Sequence, residues 1–179
     1  MTWRRSIGAA ILGLVVIGLA SIWAAAPRSL DAKMGPQRLR TPWKAYLDEQ
    51  ERALAAGDHA RAMRAWGDAK TAALASRRWE PLLDVGDAAL RVGDGTGSPA
   101  RARRSARHVY RAALFRARAQ RSVDGVLRAA DAFASLGDRT VTEGALHAAR
   151  KLAAGTPDTG LRSRVERDAA RIAARVVAE

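Results

Sequence analysis

Carboxylates recur at one register of this chain. Glu80 and Asp87 stand seven residues apart beside Leu83 and Leu90, and Asp124 and Asp131 repeat that spacing beside Leu127 and Ala134. Glu51 sits in the same way beside Leu47 and Leu54, with Lys44 breaking the pattern a heptad earlier. Positions seven apart share one face of a helix, so each set reads as an acidic stripe edged by leucine. Such a stripe attracts a basic segment or a cation. It lacks the ordered oxygen-ligand loop of a calcium site. The plainer alternative is a solvated rim beside a packed seam.

Opposite in sign is the stretch between Asp94 and Asp124, which holds no acid. Arg103, Arg104, Arg107, Arg111, Arg118 and Arg121 fall within about 100° of one another on a helix there. Ala102, Ala106, Val109, Tyr110, Ala113 and Ala117 make the facing apolar stripe. The basic set is read as a patch for an anionic surface or an acidic partner, with anionic lipid as one contact, or as an ordinary solvated outer face. Nucleic acid is not expected, because no stacking aromatics are interleaved with the arginines. His59, His108 and His147 lack metal-ligand spacing. The glycine-rich run Gly93 to Ser98 lacks the lysine of a phosphate loop and reads as a turn, with Ser98 capping the helix that Pro99 starts. No nucleophile elbow is present, and the absence of cysteine removes thiol catalysis, disulfides and Cys-type metal sites. The residues therefore point to no catalytic site, no cofactor and no metal.

The elements that carry these residues are set by a phrase occurring three times, Leu54-Ala55-Ala56-Gly57-Asp58, Leu90-Arg91-Val92-Gly93-Asp94 and Ala134-Ser135-Leu136-Gly137-Asp138. Glycine closes one helix in the left-handed conformation and aspartate caps the next, so each phrase reads as the elbow of a helical hairpin. Helices are expected near Trp43–Ala56, Asp58–Ser76, Trp79–Val92, Pro99–Gln120, Ser122–Leu136, Asp138–Ala154 and Asp158–Ala178. The abundance of Ala and Arg favours close helix packing over a sheet.

Ahead of this body, Ile7 to Ala26 is an uncharged, mostly apolar run. At 1.5 Å per residue it covers about 30 Å, the thickness of a hydrocarbon core. Trp3 and Trp23 stand near its ends, where indole favours the interface. A cleaved signal peptide is the rival reading, with Ala24-Ala25-Ala26 as the small-residue site; Pro27 just after it argues for an uncleaved anchor. Arg4 and Arg5 favour a cytoplasmic start and an exported body, whereas Arg28, Lys33, Arg38 and Arg40 argue the reverse. The division expected is a signal-anchor over 1–26, a Pro/Gly-bearing linker over 27–42 and a helical domain over 43–179. The net charge is +13, but all eighteen acids follow residue 30, so the body mixes signs.

With its elbows and the small and large residues around them, the body resembles a tetratricopeptide-type repeat. Gly57-Asp58 leads to Ala62, Trp66 and Ala69; Gly137-Asp138 leads to Thr142, Leu146 and Ala149; after Gly93-Asp94 the corresponding set is Ala106, Tyr110 and Ala113, displaced by an insertion. Gly86 and Ala130 hold the family's small position, and Gln50 departs from it in the first repeat. The resemblance covers Trp43 to Ala154. It implies an all-α, short solenoid of antiparallel hairpins with a capping last helix. It also implies a concave groove lined by Leu47, Glu51, Glu80, Leu83, Asp87, Leu90, Asp124, Leu127 and Asp131, acidic with a leucine floor. The groove would take a basic helix or extended segment. The family's carboxylate-clamp residues are not present. The resulting expectation is a non-enzymatic adaptor in a bacterial inner membrane, single-pass, its body periplasmic. It would assist assembly of an envelope complex, as similar single-span repeat proteins do for cytochrome or periplasmic dehydrogenase maturation. A structural subunit of a larger membrane complex and a helical enzyme without recognisable motifs are the alternatives.

Overall fold

The computed structural model describes residues 42–178, which form seven α-helices and no strand. The expected span over residues 1–26 and the linker up to residue 41 lie outside the described residues. Among the described residues no helix is long and apolar enough to cross a membrane. The helices are α1 (Pro42–Ala55), α2 (His59–Ala75), α3 (Glu80–Gly95), α4 (Pro99–Ala119), α5 (Val123–Ala134), α6 (Arg139–Ala154) and α7 (Thr159–Ala178). Prolines sit at the first turns of α3 and α4, where no backbone N–H is needed.

Successive helices pack as pairs, α1 on α2, α3 on α4 and α5 on α6. The first helices also touch along the stack, α1 to α3, α3 to α5 and α5 to α7. Each second helix packs on the first helix of the next pair. The hairpins close at Gly57, Gly97 and Gly137, all with positive φ (72°, 64° and 68°) and forty residues apart. At each, the following N–H reaches back five residues: Asp58 to the Ala53 carbonyl (2.9 Å), Ser98 to Gly93 (2.9 Å) and Asp138 to Phe133 (3.0 Å). This is the Schellman closure, and it satisfies carbonyls that a helix end leaves bare.

The middle elbow therefore differs from the sequence reading. Gly93-Asp94 is not a turn; α3 runs on to Gly95, and the left-handed residue is Gly97. Gly93 is a packing residue, since a Cβ there would lie 2.1 Å from the Ala102 Cβ. Ser98 likewise makes no side-chain cap, whereas Asp58 accepts from Arg61 N–H (2.9 Å) and Ser122 from Gly125 N–H (3.0 Å). Counted from the true elbows, α4 needs no insertion. Ala62, Ala102 and Thr142 are buried forty residues apart, as are Ala69, Val109 and Ala149, and Ala73, Ala113 and Ala153.

Two apolar clusters form the core. One holds Leu82, Val85, Val109, Tyr110 and Phe133; the other holds Val126, Leu146, Val165 and Ile172. Trp79 and Leu114 pack against both, so the clusters are continuous. Burying a side chain such as Phe133 contributes about 1.5–3 kcal/mol. Tyr110 and Phe133 meet edge to face at 6.0 Å, which joins α4 to α5. Glycines make room for the large rings. A Cβ at Gly86 would lie 2.1 Å from the Tyr110 ring, and one at Gly125 would lie 2.8 Å from Trp79.

Candidate functional site

The row of first helices carries a groove. Between α1 and α3 it is lined by Lys44, Leu47, Asp48, Asp84, Asp87 and Arg91. Between α3 and α5 its walls are Leu83, Asp87, Arg128, Asp131 and Ala132. Between α5 and α7 they are Asp124, Leu127, Arg128, Asp131, Arg164, Asp168 and Arg171. Shared residues make these one continuous track, because Asp87 lines the first two stretches and Arg128 and Asp131 the last two. Six carboxylates and five cations face it.

The helical heptad explains which residues arrive there. Leu47, Leu83 and Leu127 point half or wholly into the seams between first helices, and the acids one turn away stay at the mouth. Each acid has a neighbour. Asp84 accepts from Trp43 Nε1 (3.2 Å) and lies 3.9 Å from Arg128, whose guanidinium also covers the Trp79 ring at 5.5 Å. Asp124 pairs with Arg164. Asp131 takes Arg175 at 3.0 Å and Arg171 at 3.4 Å. Glu51 pairs with Arg91 at 2.6 Å, and Glu80 with Arg78 at 2.6 Å.

Asp87 differs from the others. Its Oδ1 accepts a 2.6 Å hydrogen bond from the Tyr110 hydroxyl, across from α4 to α3. Desolvation beside that ring pushes the Asp87 carboxyl above the ordinary carboxylate range, and the Tyr110 bond opposes the rise. Burial, then the bond to Asp87, pushes the Tyr110 phenol far above its usual value, so it stays a donor at all working pH. The Arg78 hydrogen bond holds Glu80 below the ordinary range, and Glu80 in turn raises Arg78.

Of the expected groove residues, the structure brings together Leu47, Leu83, Asp87, Asp124, Leu127 and Asp131. It leaves three outside the track. Leu90 packs against the core, Glu80 sits at the start of α3 with Arg78, and Glu51 is turned to Arg91. Sequence reasoning missed the cations that interleave with the acids, namely Arg91, Arg128, Arg164, Arg171 and Arg175. Their signal is the period itself: Glu51 and Arg91, Asp124 and Arg164, and Asp131 and Arg171 are each forty residues apart.

The basic set of α4 divides in two. Arg103 donates to the Leu136 carbonyl (3.1 Å) and Arg107 pairs with Asp138 (3.0 Å), so both clamp the α5–α6 elbow. Arg104, Arg111, Arg118 and Arg121 are exposed. Arg118 and Arg121 line a cleft of about 550 Å³ against His147 and Lys151 of α6. Arg116 is also structural, donating to the carbonyls of Ala73, Leu74 and Arg78. His59, His108 and His147 are exposed, and among the described residues no cluster of His, Cys, Asp and Glu has the grouping of a metal site.

No known protein family matches this chain, and no curated protein matches it.

Proposed function

We propose that the chain is a non-enzymatic adaptor, tethered through its N-terminal apolar run to a bacterial inner membrane, with its helical body in the periplasm. In this reading the body is a tetratricopeptide-like stack with a longer, forty-residue hairpin, α7 is its cap, and the groove along α1, α3, α5 and α7 holds a segment of a protein partner during assembly of an envelope complex. The observation that carries the reading is the continuity of that groove across every first helix, with leucines in the seams and charges at the mouth. A repeat stack offers such a surface to extended or helical segments, and a tether raises its local concentration near membrane partners. Because carboxylates and guanidiniums alternate, the partner segment exchanges ion pairs with the wall instead of meeting bare acid. Such a track gives register and on-rate more than raw affinity.

The experiment is co-purification of the full chain from native membranes in mild detergent, with groove and outer-face variants compared. Asp87→Asn keeps an acceptor for Tyr110 and so isolates charge from packing; it is combined with Asp131→Asn. These changes should reduce recovery of a specific partner severalfold, and added salt should do the same. The control, Arg64→Glu on the exposed face of the second helix α2, should leave recovery unchanged. A partner that is lost in the control and retained in the groove variants would place binding on the outer face and end this assignment.

A further inference from the structure

Helix α4 carries seven arginines and no acid over residues 99–119, and the structure sorts them by role. Arg103, Arg107 and Arg116 are spent on carbonyls and on Asp138. Arg101, Arg104, Arg111 and Arg118 have no acid or carbonyl partner among the described residues. At 100° per residue those four lie within about 100° of helix surface, and His108 and Phe115 fall inside the same arc. Phe115 is 75% exposed, far beyond any other large apolar side chain of the described residues. The partnered arginines all project outside that arc. Beside its C-terminal end, Arg118 and Arg121 face His147 and Lys151 across the α4–α6 cleft, over a floor of Ala148 and Leu152, with no carboxylate in the lining.

A lone exposed ring among unpaired guanidiniums, on the exposed face of one long helix, suits a flat anionic surface with an apolar layer beneath it. Guanidinium forks match phosphate oxygens, and an aromatic ring gains most at the headgroup boundary. A single-stranded nucleic acid would want several rings in series, and here there is one. A protein interface also favours arginine beside aromatics, but it buries a contiguous apolar centre, and Phe115 is the one exposed large apolar side chain of α4 among the described residues. We propose that this face docks the domain on an anionic phospholipid bilayer. Phe115 enters the boundary layer, Arg101, Arg104, Arg111 and Arg118 contact lipid phosphates over about 26 Å of helix, and the α4–α6 cleft receives one headgroup. The proposal is independent of the groove and stands if the groove reading fails.

The chain has no cysteine, so Ala119→Cys, an exposed position one turn from Phe115, gives a single labelling site for an environment-sensitive fluorophore. The full-length chain carrying it is placed in vesicles of phosphatidylcholine, with or without phosphatidylglycerol. Emission should shift to the blue, and a lipid-borne quencher should reach the dye, only where phosphatidylglycerol is present. Salt at about 1 M should reverse both changes. Arg104→Glu with Arg111→Glu should lower the docked fraction by at least about tenfold at roughly 1 kcal/mol per surface charge; the lysine pair at the same positions should retain it. Phe115→Ser should keep the salt-sensitive contact and lose the quenching. Equal emission in both lipids, or docking that survives charge reversal, overturns the proposal. So does displacement of the signal by single-stranded RNA at concentrations where phosphatidylglycerol vesicles do not compete.

Discussion

Single side chains in this protein are fixed by the space their neighbours leave. Gly86 is the clearest case, because the Tyr110 ring occupies the volume a Cβ would need. Gly86→Ala should therefore lower stability by about 1–3 kcal/mol, read as the midpoint of a chemical melt. Tyr110 then delivers its hydroxyl to Asp87, so the carboxylate is a packing partner as well as a groove residue. Its raised proton affinity has a definite sign. The folded state holds that proton to higher pH than the unfolded chain does, so stability should fall as pH rises from the ordinary carboxyl range through the raised value. Asp87→Asn should flatten that slope and leave neutral-pH stability equal or higher, measured by thermal melts across the acid range. Sequence alone could list Asp87 among the acids of one stripe. It could not show that a tyrosine twenty-three residues later lies against it, because that depends on how α4 lands on α3.

At the level of helices, most boundaries were legible in the sequence, since caps, prolines and apolar periods agree with one another. The exception has a physical cause. Two Gly-Asp pairs mark true elbows, and the third, Gly93-Asp94, carries the same letters for another reason, the close approach of α3 to α4. Composition does not separate a glycine needed for φ from one needed for room. Substitution does. Gly97→Ala should cost about 1 kcal/mol from left-handed strain with open space around it, and Gly93→Ala should cost more, because its methyl meets the Ala102 Cβ. Equal costs in denaturant melts would contradict the assignment of the turn to Gly97. Gln50 was visible as a misfit at a small position; the structure adds that it is fully buried, donating to the Ala88 carbonyl (3.1 Å) with its own Oε1 unpaired. Gln50→Met should leave α1 on α3 and change stability by under about 1.5 kcal/mol, since it removes one weak bond together with one orphaned acceptor.

For the molecule as a whole, residues 40–179 make one compact unit with its own continuous core. Expressed alone, that segment should give a helical circular dichroism spectrum and a single cooperative melt; a coil spectrum or strand content would refute it. The charge layout was half legible. The acids, the leucines and the block of arginines are in the sequence, but the division of those arginines into clamps and free cations needed the packing. The glycine slots have one more consequence. Tyr110 fits α3 because residue 86 has no side chain, yet the residue forty positions on in α5 is Val126, already buried. Trp79 in turn lies against Gly125. Gly86 and Tyr110 lock the α3–α4 hairpin internally, whereas Gly125 and Trp79 lock α5 against the start of α3, and an α3 placed where α5 belongs would bring the buried Val85 to that slot. Stacks of near-identical modules are prone to misassembly and swapping between copies. Here the difference between Gly125 and Val85 at equivalent places disfavours that wrong neighbour and so favours one order of helices.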